Sequence, residues 1–373
     1  MLRNLLLITL LFLFSCNNFD NNSKNNLQKT SKTDSLNNLA DNLYVLGRSY
    51  SEDSLNQERA LELYKESFEL YKQLGNKQRI ATLYKRMGFA YEYMEDYPKV
   101  KEYQKKALKI NIEIDNKTES AIISNFLGIA YTITGDIDSA LTFYAKGLEL
   151  SEITMDTAEI IEIYQNMGIS YRYAGNYEKA IESDIKALKY CEEVNYTTGI
   201  FSLNLNIAQL FQESGDIDMA FSYCEKASEL IDSIENTHKQ ASFHHTFGEL
   251  YYARTKYIKA REYFVKTLEI SRKVDFKRGM AAAYTSLALI SLKEHNFDEA
   301  EKYAYLSIDL ENEINNISGV ISSLLTIAET QYQQKLYDKA LVQLQKAENL
   351  CNEKGLYDQL PDIYYHFYQV YKR

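Results

Sequence analysis

Few side chains here have the type and spacing to do chemistry, and each also has a packing reading. His244-His245 is the nearest approach to a metal pair. Successive residues on a helix point about 100° apart, so the two imidazoles cannot share one ion. His244 is expected in the core and His245 on the opposite face. Cys191 and Cys351 hold the same place in a repeated pattern but lie four repeats apart. With about 9 Å between packed helices they cannot bridge. Cys224 falls at a core place and reads as a small buried hydrophobe. A disulfide between Cys191 and Cys224, in neighbouring repeats, stays open. Paired acids such as Glu192-Glu193 read as solvated helix surface. There is no glycine-rich phosphate loop, no nucleophile elbow and no His-Glu-x-x-His. The expectation is a non-enzymatic chain with no catalytic residue, no metal and no cofactor.

The elements that position these residues follow one rule, seen in Ile163 to Glu193 as a helix, a Gly175-Asn176 break and a second helix. Small residues recur every forty residues at Ala60, Val100, Ala140, Ala180, Ala220, Ala260, Ala300 and Ala340. Parallel columns run through Gly88, Gly128, Gly168, Ala208, Gly248, Ala288 and Ala328, and through Ser67, Ala107, Gly147, Ala187, Ala227, Thr267, Ser307 and Ala347. Gly47 joins the second column one residue out of step, which predicts an insertion between Ser51 and Gln57. Counting places from 81, 121, 161 and onward, places 4, 7, 8 and 11 form one apolar face of the first helix. Places 20, 24 and 27 do the same for the second. Gly135-Asp136, Gly175-Asn176 and Gly215-Asp216 supply a left-handed helix end followed by a cap for the next helix. The prediction is a run of αα-hairpins stacked on their neighbours.

The first residues are a different kind of sequence. Leu5 to Phe14 is a short apolar run behind a single Arg3, and about 20 residues are needed to span a bilayer, so it reads as an export signal. Leu13-Phe14-Ser15-Cys16 resembles the lipobox of bacterial lipoproteins, which implies cleavage before Cys16 and lipid attachment to its thiol. A plain secretory signal with an incidental cysteine is the alternative. Residues 1–15 are then the signal peptide and 16–34, rich in Asn and Ser, a flexible polar tether. The expected place is the bacterial cell envelope, membrane-anchored through Cys16. A formal net charge of -10 and the absence of a basic aromatic run argue against nucleic acid as a partner. Only 2 Pro and 14 Gly in 373 residues suit an all-α chain.

An aromatic at place 4, Leu-Gly at 7 and 8, Tyr at 11, and Ala at 20 and 27 together resemble the tetratricopeptide repeat, in a long form with forty-residue units. The resemblance implies an α-solenoid of eight stacked helix-turn-helix units in a right-handed superhelix over residues 35–373. The units are about 40–80, 81–120, 121–160, 161–200, 201–240, 241–280, 281–320 and 321–360, with a closing helix at 361–373. It also implies a groove lined by the first helices that binds a protein or peptide. Places 2, 5, 9, 12 and 13 face away from the core and nominate Lys85, Phe89, Tyr93, Asn125, Ile129, Ile133, Gln165, Ile169, Arg172, Tyr173, Gln209, Gln212, His245, Glu249 and Tyr252. The competing reading buries the apolar members against an adjacent unit. The carboxylate clamp of some family members is absent, because Phe89 and Phe126 stand where it needs amides. The function expected is a lipid-anchored envelope scaffold. The alternative is a sensing or regulatory subunit whose effector is a separate chain.

Overall fold

The computed structural model describes residues 21–53 and 56–372, with side chains from Thr33 onward. The signal peptide and Cys16 lie outside the described residues. Among these residues every regular element is a helix. The pairs are α1 (Asn21–Ser51) with α2 (Gln57–Leu74), α3 (Lys77–Tyr93) with α4 (Tyr97–Glu113), α5 (Lys117–Ile133) with α6 (Ile137–Thr154), and α7 (Thr157–Tyr173) with α8 (Tyr177–Glu193). They continue as α9 (Thr197–Ser214) with α10 (Ile217–Ser228), α11 (Thr237–Ala253) with α12 (Tyr257–Lys273), α13 (Lys277–Lys293) with α14 (Phe297–Glu313), and α15 (Ile317–Gln333) with α16 (Tyr337–Lys354), before α17 (Leu360–Tyr371). No described helix is long and apolar enough to cross a membrane.

The helices group into two compact parts, one ending at Ile163 and one beginning at Tyr164. In the first, α1·α2, α3·α4 and α5·α6 pack as hairpins, and α2·α3 and α4·α5 join them. In the second, α9·α10, α11·α12, α13·α14 and α15·α16 are the hairpins, joined through α8·α9, α10·α11, α12·α13 and α14·α15. Here the first helices also touch one another, α9·α11, α11·α13 and α13·α15.

The small-residue columns are where the helices meet. Ala60, Val100, Ala140, Ala180, Ala220, Ala260, Ala300 and Ala340 are all 0% exposed. Place 8 faces place 24 of the same hairpin, and the two trade volume. A Cβ on Gly128 would lie 2.3 Å from the Tyr144 ring, on Gly248 2.6 Å from the Phe264 ring, on Gly88 2.5 Å from the Gln104 amide and on Gly168 2.5 Å from the Asp184 carboxylate. Where place 8 is Ala208 or Ala288, place 24 is the smaller Cys224 or Ala304, while Ala328 packs with Leu344, longer than these but shorter than the rings. Glycine at place 8 is therefore the room for a long side chain, and burying a ring such as Tyr144 or Phe264 is worth about 1.5–3 kcal/mol.

The turns use the predicted chemistry at some positions and dispense with it at others. Asn76, Asp96, Asn116, Asp136, Asn176, Asp216, Asn236 and Asn316 each accept a hydrogen bond from the backbone N–H three residues on. Gly135, Gly175 and Gly215 take positive φ as expected, but Glu95, Thr255, His295 and Lys335 do the same in other units. The helix-ending geometry is thus set by hairpin packing, with glycine only its least strained occupant.

Two boundaries differ from the expectation, and one expected insertion is found. First helices start at residues 77, 117, 157 and every forty thereafter, four before the expected unit starts, because their first turn lies outside the small-residue columns, with an Asx cap at most of them and Tyr196 and Phe276 at two. Helical backbone begins at Asn21, inside the stretch expected to be a flexible tether. Once a helix is nucleated, each further residue adds a hydrogen bond, so Lys, and even Asn, a poorer helix former, can extend it. The α1–α2 connection, residues 52–56, is longer than the three-residue turn at 94–96, where the column slip predicts an insertion.

Helix α17 seals the end through Ile363 and Val370, 0% and 7% exposed. Cys191, Cys224 and Cys351 are buried free thiols, so the open Cys191–Cys224 disulfide does not form.

Candidate functional site

Helix periodicity turns places 5, 9 and 12 of each first helix toward the neighbouring first helix as well as toward solvent. In the first part this second destination consumes several nominated residues. Lys85 Nζ donates to Glu119 at 2.6 Å, and the Lys85 side chain is only 16% exposed. Asn125 is buried and donates through Nδ2 to Glu159 at 2.9 Å. Burial pushes the Glu159 carboxyl up to about 7, with the Asn125 amide pulling the other way. Phe89 packs edge-on against Phe126 at 4.7 Å, Ile129 is half-buried, and Ile133 and Tyr93 are exposed. Lys85 and Asn125 are inter-helix ties rather than open groove residues. The signal that sequence reading missed is the acid 34 positions later, Glu119 or Glu159, on the first turn of the next first helix.

In the second part, Ile169 and Tyr173 are 50% and 76% exposed and Gln165 is half-buried. Arg172 forks onto Glu213, with Nε donating at 2.9 Å and Nη2 donating to the other oxygen. Gln209 Nε2 donates to Thr246 Oγ1 at 2.9 Å, and His245 Nε2 lies 3.2 Å from Ser286 Oγ. His245 Nδ1 stands 3.6 Å from Glu249.

These ties leave two clefts along α9, α11 and α13. One, of about 180 Å³, is lined by Gln209, Ser242, His245, Thr246 and Arg278. The other, of about 210 Å³, is lined by Gln212, Glu249, Tyr252, Phe264, Ser286 and Leu289. The His245–Ser286 pair runs between them. Gln209, Gln212, His245, Glu249 and Tyr252 are thus brought together, whereas Lys85 and Asn125 are not part of this site. Gln212 Oε1 is buried with no hydrogen-bond partner among the described residues, an acceptor awaiting an N–H. Place 6, occupied by Thr246 and Ser286, was not nominated because it lies beside the packing face; its short polar side chains betray it.

His244, next in chain to His245, is 6% exposed and packs edge-on against Phe243 and tilted against Tyr263. Burial brings its pKa down to about 4, so it is neutral in the core. Among the described residues no three His, Cys, Asp or Glu side chains converge as metal ligands. The clefts offer amides, hydroxyls, one carboxylate and aromatic walls, which suits reversible contact with a polar backbone.

No curated protein matches the chain. Among solved structures, aspartyl phosphate phosphatase F from Bacillus subtilis is 14% identical, with a TM-score of 0.55 over 91% of this chain and 94% of that one. A Rap protein complexed with Competence and Sporulation Factor is 16% identical, with a TM-score of 0.53 over 91% and 98%. A signal transduction ATPase with numerous domains from Pyrococcus horikoshii, carrying a tetratricopeptide repeat sensor, is 16% identical, with a TM-score of 0.56 over 83% of this chain and 54% of that one. Such identities speak for the fold alone. Family profiles described as tetratricopeptide repeat match residues 78–153, 160–195 and 199–273, together half of the chain. Sixteen paired helices in forty-residue register and these matches agree: the chain belongs to the tetratricopeptide repeat family.

Proposed function

We propose that the protein is a non-enzymatic scaffold that binds a protein or peptide segment along α9, α11 and α13, and that lipid on Cys16 holds it to an envelope membrane. The observation that carries the binding reading is the pair of adjoining clefts with Gln212 Oε1 left unpaired among half-buried polar and aromatic side chains. An extended backbone supplies the missing N–H, and Tyr252 and Leu289 flank the space for one of its side chains. A photocrosslinker at Glu249, compared with one at the outward Glu262, tests this. The partner should be trapped only from Glu249, and Gln212→Ala with Tyr252→Ala should abolish trapping while the helical signal stays unchanged. Equal trapping from both positions would sink the proposal. For the anchor, Cys16→Ala should move the protein from the membrane to the soluble fraction, and a variant still sedimenting with membranes would count against lipidation.

The alternative is a sensing subunit whose effector is a separate chain, supported by likeness to a protein whose repeats are a sensor. In that case occupancy of the clefts must change the activity of a second chain, and simple capture would not.

A further inference from the structure

A separate cleft of about 300 Å³ opens in the first part, between the end of α1 and the last turns of α3. Arg48, Ser51, Glu52 and Gln57 line one side, and Arg86, Phe89, Glu92 and Tyr93 the other. Arg172, Arg254 and Arg261 elsewhere all reach carboxylates. Arg86 contrasts with them, since its Nε is buried with no hydrogen-bond partner among the described residues. A guanidinium is always charged, and an orphaned buried donor costs about 1–3 kcal/mol or more, so the site favours an acceptor that the chain itself does not provide. Among the described residues the Arg48 guanidinium is held only by Glu52, at 3.9 Å, and both side chains are more than half exposed. Such a pair is worth little, which leaves Arg48 able to swing toward a ligand.

Size and charge narrow the ligand. The volume corresponds to about ten water molecules, more than a bare anion fills. Glu52 and Glu92 share the walls and disfavour a doubly charged phosphate. Burial pushes the Glu92 carboxyl up, which weakens its competition for the arginines. The half-buried Phe89 ring and the 63% exposed Tyr93 ring provide an apolar wall beside the guanidinium groups. We propose that this cleft binds a small organic acid, with its carboxylate on the forks of Arg86 and Arg48 and its apolar body against Phe89 and Tyr93. This goes beyond the segment binding proposed for α9, α11 and α13, and neither site's failure would imply the other's.

Calorimetric titration of the full-length chain with benzoate, acetate and inorganic phosphate tests it. Benzoate should bind about tenfold or more tighter than acetate, the effect of burying a ring worth at least 1.4 kcal/mol. Phe89→Ala should bring benzoate down to the acetate level. Arg86→Met should remove benzoate binding, and because it also removes an unpaired buried donor it should melt at or above the wild type. Arg86→Lys, which keeps the charge but not the fork, should weaken binding without abolishing it. No saturable heat with benzoate, benzoate binding retained in Arg86→Met, or phosphate binding tighter than benzoate would each overturn the proposal. Should Arg86→Met fail to fold, the benzoate-to-acetate ratio and its loss in Phe89→Ala decide the matter.

Discussion

Asp184 is 4% exposed, at the place where other hairpins put Tyr144, Cys224 or Phe264, and it faces Gly168. Burial raises its carboxyl from 3.8 to about 7, against the pull of Arg172. A carboxyl raised in the folded state binds more protons there than in the unfolded chain. Its favourable contribution is therefore present at low pH and is lost as pH climbs from about 3.8 to about 7. At 1.36 kcal/mol per unit, the ionised form at pH 8 costs the fold about 4 kcal/mol relative to the protonated form. Asp184→Asn keeps the shape without the charge. It should raise the melting temperature at pH 8 by about 5 °C and leave it nearly unchanged at pH 4. His244 acts in the opposite sense over much the same range, because its neutral folded form gains stability as pH rises from about 4 to 6.5. Glu159, also raised to about 7, acts in the same sense as Asp184, so the wild-type profile does not isolate Asp184, and the measurement is the difference between Asp184→Asn and wild type by differential scanning calorimetry at each pH. A difference that does not change between pH 4 and pH 8 would refute the assignment of a buried, proton-holding Asp184.

Gly128→Ala should cost about 1–3 kcal/mol by driving its Cβ into Tyr144. Gly128→Ala with Tyr144→Cys, which copies the Ala208/Cys224 pairing, should lose less than the sum of the two single changes in urea unfolding; strict additivity would mean the two places do not share one space. Thr255→Gly should stabilise by about 0.5 kcal/mol, since a β-branched residue sits at φ +57 there. A lower urea midpoint would show that the threonine is held by something other than the turn. Asn236→Ala removes the acceptor for the Lys239 N–H and should cost about 1 kcal/mol, read as faster amide exchange in the first turn of α11.

Much of the architecture was legible because one packing rule is written repeatedly. Three small columns fix which residues meet, so hairpin pairing and the burial of Ala60 through Ala340 could be read without coordinates. Helix starts were not legible from those columns, because the first turn lies outside all three of them and Asn116 or Asn316 looks like any polar loop residue until its side chain accepts from the helix. The binding face was half legible. A helical wheel separates core from surface, but it cannot say whether a surface residue is spent on the next helix. Asn125 is, through Glu159; Gln212 is not. That distinction depends on the reach of one side chain and on what the neighbouring hairpin offers, information held 34 to 41 residues away. Of the residues around the Arg86 cleft the wheel nominated Phe89 and Tyr93 but not Arg86 itself, since place 6 was not among its places.

The volume exchange between places 8 and 24 lies wholly within one hairpin, sixteen residues apart, while ties such as Lys85 to Glu119 cross from one hairpin to the next. A duplicated forty-residue segment would carry its internal fit with it wherever it was inserted, but it would arrive with its lateral ties unmatched. Lengthening or shuffling such an array is therefore limited at the seams between hairpins, where apolar contacts such as Ala107 and Leu108 on Ile123 and Leu127 and ties such as Lys85 to Glu119 must be matched anew.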